Sequence, residues 1–136
     1  MFQIEVNILA VIAAAIISVV TGIFWYSPAL FGKVWTQSIG KPIEELKKSN
    51  KIKIYILNIA ATLLMAYVLA IFIGYLNITT VAGGLQIGFW IWLGFVIPVN
   101  AGAYLWESRP LKLYLINNGY HLVAMLLMGA VLAIWA

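Results

Sequence analysis

The sequence predicts an all-α integral membrane protein. Four transmembrane helices are expected as two parallel-repeat hairpins, with both termini outside and short interfacial helices in the first cytoplasmic loop. Three observations predict this. First, 65% of the 136 residues are hydrophobic and only 9% are charged, against about 25% charged in soluble chains. The mean hydropathy is +1.04. Second, the chain divides into four apolar runs, each close to the roughly 20 residues that a bilayer core requires of a helix. Third, the second and fourth runs repeat one another.

Span one is expected from about Asn7 to Tyr26. The start, Met1-Phe2-Gln3-Ile4-Glu5, lacks the basic region of a signal peptide, so the first apolar run is expected to be retained. Ala10, Ala14, Ser18 and Gly22 recur every fourth residue on it, a stripe that lets another backbone approach closely. Ser27-Pro28 then signals a new helix start. Leu30, Phe31, Val34 and Trp35 share one face of it, as in a helix lying in the headgroup layer. Lys41-Pro42 begins a second short helix, Ile43 to Lys48, with Glu44 and Glu45 early and Lys47 and Lys48 late, the order the helix dipole favours.

Span two is expected over Ile54 to Tyr75, span three over Val81 to Leu105 and span four over Leu111 to Trp135. Gly84 and Gly88 form a second small-residue stripe on span three. Pro98 removes a hydrogen bond to the Gly94 carbonyl and is expected to kink or loosen that helix. All eight Lys and Arg residues lie in the first and third loops, which the positive-inside rule makes cytoplasmic. The lysines read as topology signals and surface anchors rather than as a nucleic-acid footprint.

The repeat runs in two blocks. Lys53-Ile54-Tyr55-Ile56-Leu57-Asn58 matches Lys112-Leu113-Tyr114-Leu115-Ile116-Asn117. Leu63 to Phe72 matches Leu126 to Trp135, with four extra residues between the blocks in the later copy, about one helical turn. Residues 1–136 are therefore expected to form one four-span domain, with hairpin repeats at about 7–75 and 81–135, related by a pseudo-two-fold axis along the membrane normal.

Polar side chains inside the spans gather in one leaflet. Ser18, Thr21, Asn58, Thr62, Asn100, Asn117, Asn118 and His121 all fall in the cytoplasmic halves, with His121 about 13 Å in. Asn58 and Thr62 are four apart and share a face, as do Asn117 and His121. The expected polar pocket is Asn58, Thr62, Asn100, Asn117 and His121. Beyond His121 the same face becomes Met125 and Met128, which suits a cytoplasm-facing vestibule better than a continuous pore. Two readings of His121 stay open at this stage: interhelical hydrogen-bond glue shared with Asn58, Thr62 or Asn117, and a ligand-binding or proton-accepting group. No second His, Cys or carboxylate lies at its depth, so neither a metal nor another cofactor is expected. Trp25, Tyr26, Trp35, Tyr104 and Trp106 read as an interfacial belt, while Trp90 and Trp92 lie deep enough to line a pocket. Glu107 and Arg109 fall at a cytoplasmic turn, where they pair or cap helix ends.

The stretch Gly22-Ile23-Phe24-Trp25-Tyr26-Ser27-Pro28-Ala29-Leu30-Phe31-Gly32-Lys33-Val34-Trp35 resembles the signature of a bacterial family of small four-helix membrane proteins, catalogued as domain of unknown function 1761. Trp92 to Pro98, and Arg109 to Leu113 running into Gly119-Tyr120-His121-Leu122, resemble two further stretches. The resemblance implies a four-span membrane protein and no activity. It marks Trp25, Tyr26, Ser27, Pro28, Phe31, Gly32, Trp35, Gly94, Pro98, Tyr120 and His121 as motif positions without assigned chemistry.

The chain has no Cys, which excludes disulfides, thiolate metal sites and cysteine nucleophiles. Paired carboxylates, a Ser/His/Asp set and a phosphate loop are absent as well, so an enzyme is the least favoured class. A transporter, channel-like or ligand-binding bundle centred on His121 is the leading expectation. The alternative is a non-catalytic membrane scaffold or accessory subunit. Expected partners are the lipid bilayer, further copies of the chain as a homo-oligomer and an unidentified small molecule or ion, with no nucleic acid. The expected location is a bacterial inner membrane.

Overall fold

An apolar run in hydrocarbon must satisfy its own backbone, and a helix does so within one segment. The computed structural model describes residues 6–27, 51–106 and 110–135, and the described residues are almost entirely helical. Helix α1 covers Ile8–Trp25, α2 Lys51–Tyr75, α3 Val81–Ile91, α4 Ile97–Trp106 and α5 Leu111–Trp135. A π-helical turn, Trp92–Val96, joins α3 to α4, so these make one continuous third span. All four spans are long and apolar enough to cross a membrane. The two expected interfacial helices, and motif positions Pro28, Phe31, Gly32 and Trp35, lie outside the described residues, as do Glu107 and Arg109.

Local chemistry sets the ends. The Asn7 side-chain oxygen accepts from the Leu9 and Ala10 amides at 3.1 and 3.3 Å and starts α1, as an N-cap does. Helix α2 ends in a Schellman motif: Asn77 turns left-handed with φ 55°, and Ile78 N–H donates to the Ile73 carbonyl at 3.0 Å. Ile78 then folds back on the core. Thr80 caps α3 by accepting from Gly83 N–H at 3.0 Å. This short turn joins the end of α2 to the start of α3.

The expected disturbance at Pro98 takes the form of the π turn. Ile97 N–H reaches back five residues to the Trp92 carbonyl. Pro98 has no N–H to offer Gly94, so a wider turn just before it forfeits little.

Helix α5 is the central element. It packs against α1, α2, α3 and α4, whereas α2 meets α3 only marginally. Span four is also the least apolar span, with a best-window mean hydropathy of 1.5 against 2.6 for α1. The two facts belong together, because polar groups on a central helix face protein rather than lipid. Close approach comes from the small residues. A Cβ on Gly84 would overlap the backbone of Gly129 and Ala130, and one on Gly88 would overlap the Met125 carbonyl. Ala10, Ala14 and Ser18 of the α1 stripe are buried. Both stripes are thus used within one chain, and the expected homo-oligomer has no claim on them.

The apolar core occupies the end away from Lys53 and Lys112. It is built from Ala10, Val11 and Ala14 on α1, Ala66, Leu69 and Ile73 on α2, and Met125, Met128 and Leu132 on α5. Toward the basic end the bundle loosens. Ile52 through Ala61 of α2 are all exposed, whereas Leu113 and Ile116 at the matching level of α5 are buried. In the second repeat block burial corresponds, with Ala66 and Leu69 buried on α2 and Gly129 and Leu132 on α5.

Candidate functional site

The polar residues of the loosened half divide into those already bonded and those with nothing to bond. Asn118 is the most engaged. It is 3% exposed; its amide nitrogen donates to the Tyr114 carbonyl at 2.8 Å, and its amide oxygen accepts from Asn100 Nδ2 at 2.9 Å. Its own carbonyl accepts the Trp92 indole N–H at 2.8 Å. Tyr114 closes the set by donating to the Ile97 carbonyl at 3.1 Å. The π turn and the proline therefore sit where α5 grips the third span, with Trp92 on one side and Asn100 on the other.

A second set ties α5 to α1. Tyr120 O–H donates to the Ser18 carbonyl at 2.9 Å. Its single proton is then committed, so the Ser18 hydroxyl, 3.1 Å away, donates to the phenol oxygen. The Tyr120 ring lies against Gly22, and the Trp25 ring lies against Gly119. The Trp25 indole donates to the Ile116 carbonyl at 2.9 Å, and Tyr26 O–H donates to Asn117 Oδ1 at 2.7 Å. Trp25 and Tyr26, expected as belt residues, are thus also interhelical ties.

Three side chains remain. Asn58 is exposed and only its backbone carbonyl is used, by the Thr62 hydroxyl at 2.8 Å. Asn117 bonds through its oxygen, leaving its amide N–H groups without a protein partner among the described residues. His121 is half-buried with its ring 5.1 Å from that of Tyr120, and neither of its nitrogens has a partner among the described residues. No described side-chain nitrogen or oxygen is both buried and unpartnered. The free atoms of these three residues therefore all reach accessible space.

That space is a cleft of about 750 Å³ between α1, α2 and α5. Asn58, Asn117 and His121 line it together with Tyr55, Val19, Ile23 and Ile59. A smaller recess of about 220 Å³ lies between α4 and α5, lined by Asn100, Tyr104 and Asn118. Asn117 and His121 line both spaces, so these two side chains form the wall between them. Ala14, Ala66 and Ala124, each 0% exposed, lie about one to two turns deeper on the three helices, in the packed core beneath the cleft.

Of the five residues expected in the pocket, Asn58, Asn117 and His121 line the cleft, and Asn100 lines the recess behind it. Thr62 is buried with its hydroxyl turned back on its own helix. His121 shares no hydrogen bond with Asn58, Thr62 or Asn117. Of the two deep tryptophans, Trp92 is tied to α5, whereas Trp90 is 62% exposed on the outer surface against Phe89. Tyr55, at the cleft mouth, did not stand out in the sequence; its match to Tyr114 in the repeat is the signal that marks it. Among the described residues no three His, Cys, Asp or Glu side chains gather to hold a metal ion.

Fold and site together define a multi-pass α-helical membrane protein with a polar cleft confined to one half of the bundle. The model of the family described as protein of unknown function, DUF1761, matches residues 9–133, and the chain belongs to that family. No curated protein and no solved structure matches it.

Proposed function

We propose that this protein is a ligand-binding or transporter-like membrane bundle whose site is the cleft centred on His121. One observation carries the reading: Asn58, Asn117 and His121, each with an unpartnered polar atom among the described residues, line one cleft together. At membrane depth an unpaired donor or acceptor is costly, and such groups persist where they line a wet cavity or meet a ligand. The packed core beneath the cleft, with Ala14, Ala66 and Ala124, favours a binding vestibule over an open channel. In the same reading the basic end faces the cytoplasm of a bacterial inner membrane, and the two hairpins descend from one duplicated unit.

The scaffold reading draws on the other half of the polar residues, since Asn100, Asn118, Ser18 and Tyr120 are engaged in tying helices. One experiment separates the two. Because the chain has no Cys, single cysteines at Asn58, Asn117 and Thr62 can be probed with a membrane-impermeant thiol reagent. The vestibule predicts rapid labelling of Asn58→Cys and Asn117→Cys from the basic side, with Thr62→Cys and Gln86→Cys protected from that side. A folded protein in which Asn117→Cys stays unlabelled has a dry cluster, and the scaffold reading takes over.

A further inference from the structure

We infer that the cleft takes an uncharged amphiphile, its hydrogen-bonding head held at Asn117 and His121 and its apolar body lying along Val19, Ile23 and Ile59, which enters sideways from the bilayer between α1 and α2. This rests on reading the cleft as a ligand site. Three features of the lining set the chemistry. Among the described residues no Lys, Arg, Asp or Glu lines it, and an ionised head in so apolar a setting would lack the partner it needs. Asn117 has its oxygen occupied by Tyr26, so it presents a donor, and the head must carry an acceptor such as a hydroxyl or carbonyl oxygen. The walls around these groups are aliphatic and aromatic, and the volume of about 750 Å³ falls in the roughly 300–1,000 Å³ range of small-molecule sites.

The route follows from which helices are present. Helices α1, α2 and α5 line the cleft and the third span does not. Helix α5 forms the back wall. Ile23 on α1 and Ile59 on α2 line the cleft and are 65% and 46% exposed, so the gap between them faces the surroundings of the bundle. At this level those surroundings are lipid, from which a chain-bearing molecule reaches the site without crossing water.

The test uses the full chain in lipid nanodiscs and the quenching of tryptophan fluorescence by brominated chains, with Trp25 beside α5 as the nearby reporter. Bromo-undecanol, bromo-undecane, bromo-undecanoate and bromo-undecyltrimethylammonium are compared at matched membrane concentrations. Saturable quenching by the alcohol is expected at about tenfold lower concentration than by the other three, the equivalent of one hydrogen-bonded head. His121→Phe should remove that preference, and so should Asn117→Leu, which takes away the free amide donor. Equal quenching by alcohol and alkane overturns the inference, as does preference for either charged head or indifference to both substitutions. Labelling of Asn117→Cys without any head-group preference defeats the amphiphile and leaves the wet cleft standing. An unlabelled Asn117→Cys defeats the cleft and the amphiphile with it.

Discussion

Gly84 of α3 and Gly129 of α5 lie backbone against backbone, each where a Cβ on the other would overlap it. Gly88 stands one turn along and meets the Met125 carbonyl in the same way. This contact sets the spacing of the third and fourth spans, and a side chain there has only backbone to displace. Gly84→Ala and Gly129→Ala are each expected to destabilise the bundle by about 1–3 kcal/mol, the usual cost of overpacking. Steric-trapping measurements of unfolding in bicelles check this, and wild-type stability in both variants would refute it.

Gly94 makes the opposite prediction although it belongs to the family motif. A Cβ there meets nothing within 4 Å. Gly94→Ala should leave stability within about 0.5 kcal/mol of the parent, as outward-facing substitutions do. A loss as large as that of Gly84→Ala would mean that this face is covered.

Asn100 and Asn118 should be coupled. Asn118→Ala leaves the Asn100 amide N–H without its acceptor and Asn100→Ala leaves the Asn118 amide oxygen without its donor, whereas the double substitution strands neither. A double-mutant cycle is expected to return about 0.6–1.7 kcal/mol, the range found for hydrogen bonds between membrane helices. A coupling of zero would show that the bond at 2.9 Å contributes nothing beyond geometry.

Tyr120→Phe and Ser18→Ala remove different amounts of one contact. The phenol donates to the Ser18 carbonyl, which Ser18→Ala retains, whereas Tyr120→Phe removes that bond and leaves the Ser18 hydroxyl without its acceptor. Tyr120→Phe should therefore cost more, about 1 kcal/mol, and Ser18→Ala distinctly less. Thermal unfolding of both variants in the same nanodisc lipid gives the order, and the reverse order would place the principal bond on the serine hydroxyl.

Much of the fold is legible in the sequence. Span four begins at Leu111 as expected, and α1 differs from expectation by one residue at each end. Helix α2 ends at Tyr75 as expected, and Lys51 to Lys53, ahead of the expected start at Ile54, are already helical, because Lys and Ile continue a helix readily. The irregularity at Pro98 was also legible, since a missing N–H is a property of the residue. The site was legible only in part. Depth and spacing singled out Asn117 and His121, which line the cleft. Thr62, equally polar and correctly placed, turns its hydroxyl onto the Asn58 carbonyl, an option open to any helical threonine. Asn118, next to Asn117, proved to be bonded through both ends of its amide.

Composition and the four apolar runs settled by themselves that the chain spans a membrane with four helices, because hydrocarbon admits few other backbones. They also placed the polar groups in one half, since depth is simply residue count times helical rise. Tertiary structure alone decided which helix is central, which small-residue stripe meets which, and which polar atoms stay free. These depend on the rotation of each helix about its own axis, and that rotation is set by side-chain packing among partners far apart in sequence. Burial of the α5 face beside Ala14 and Ala66, with α2 turned outward from Ala61 toward the basic end, is what leaves a cleft at His121.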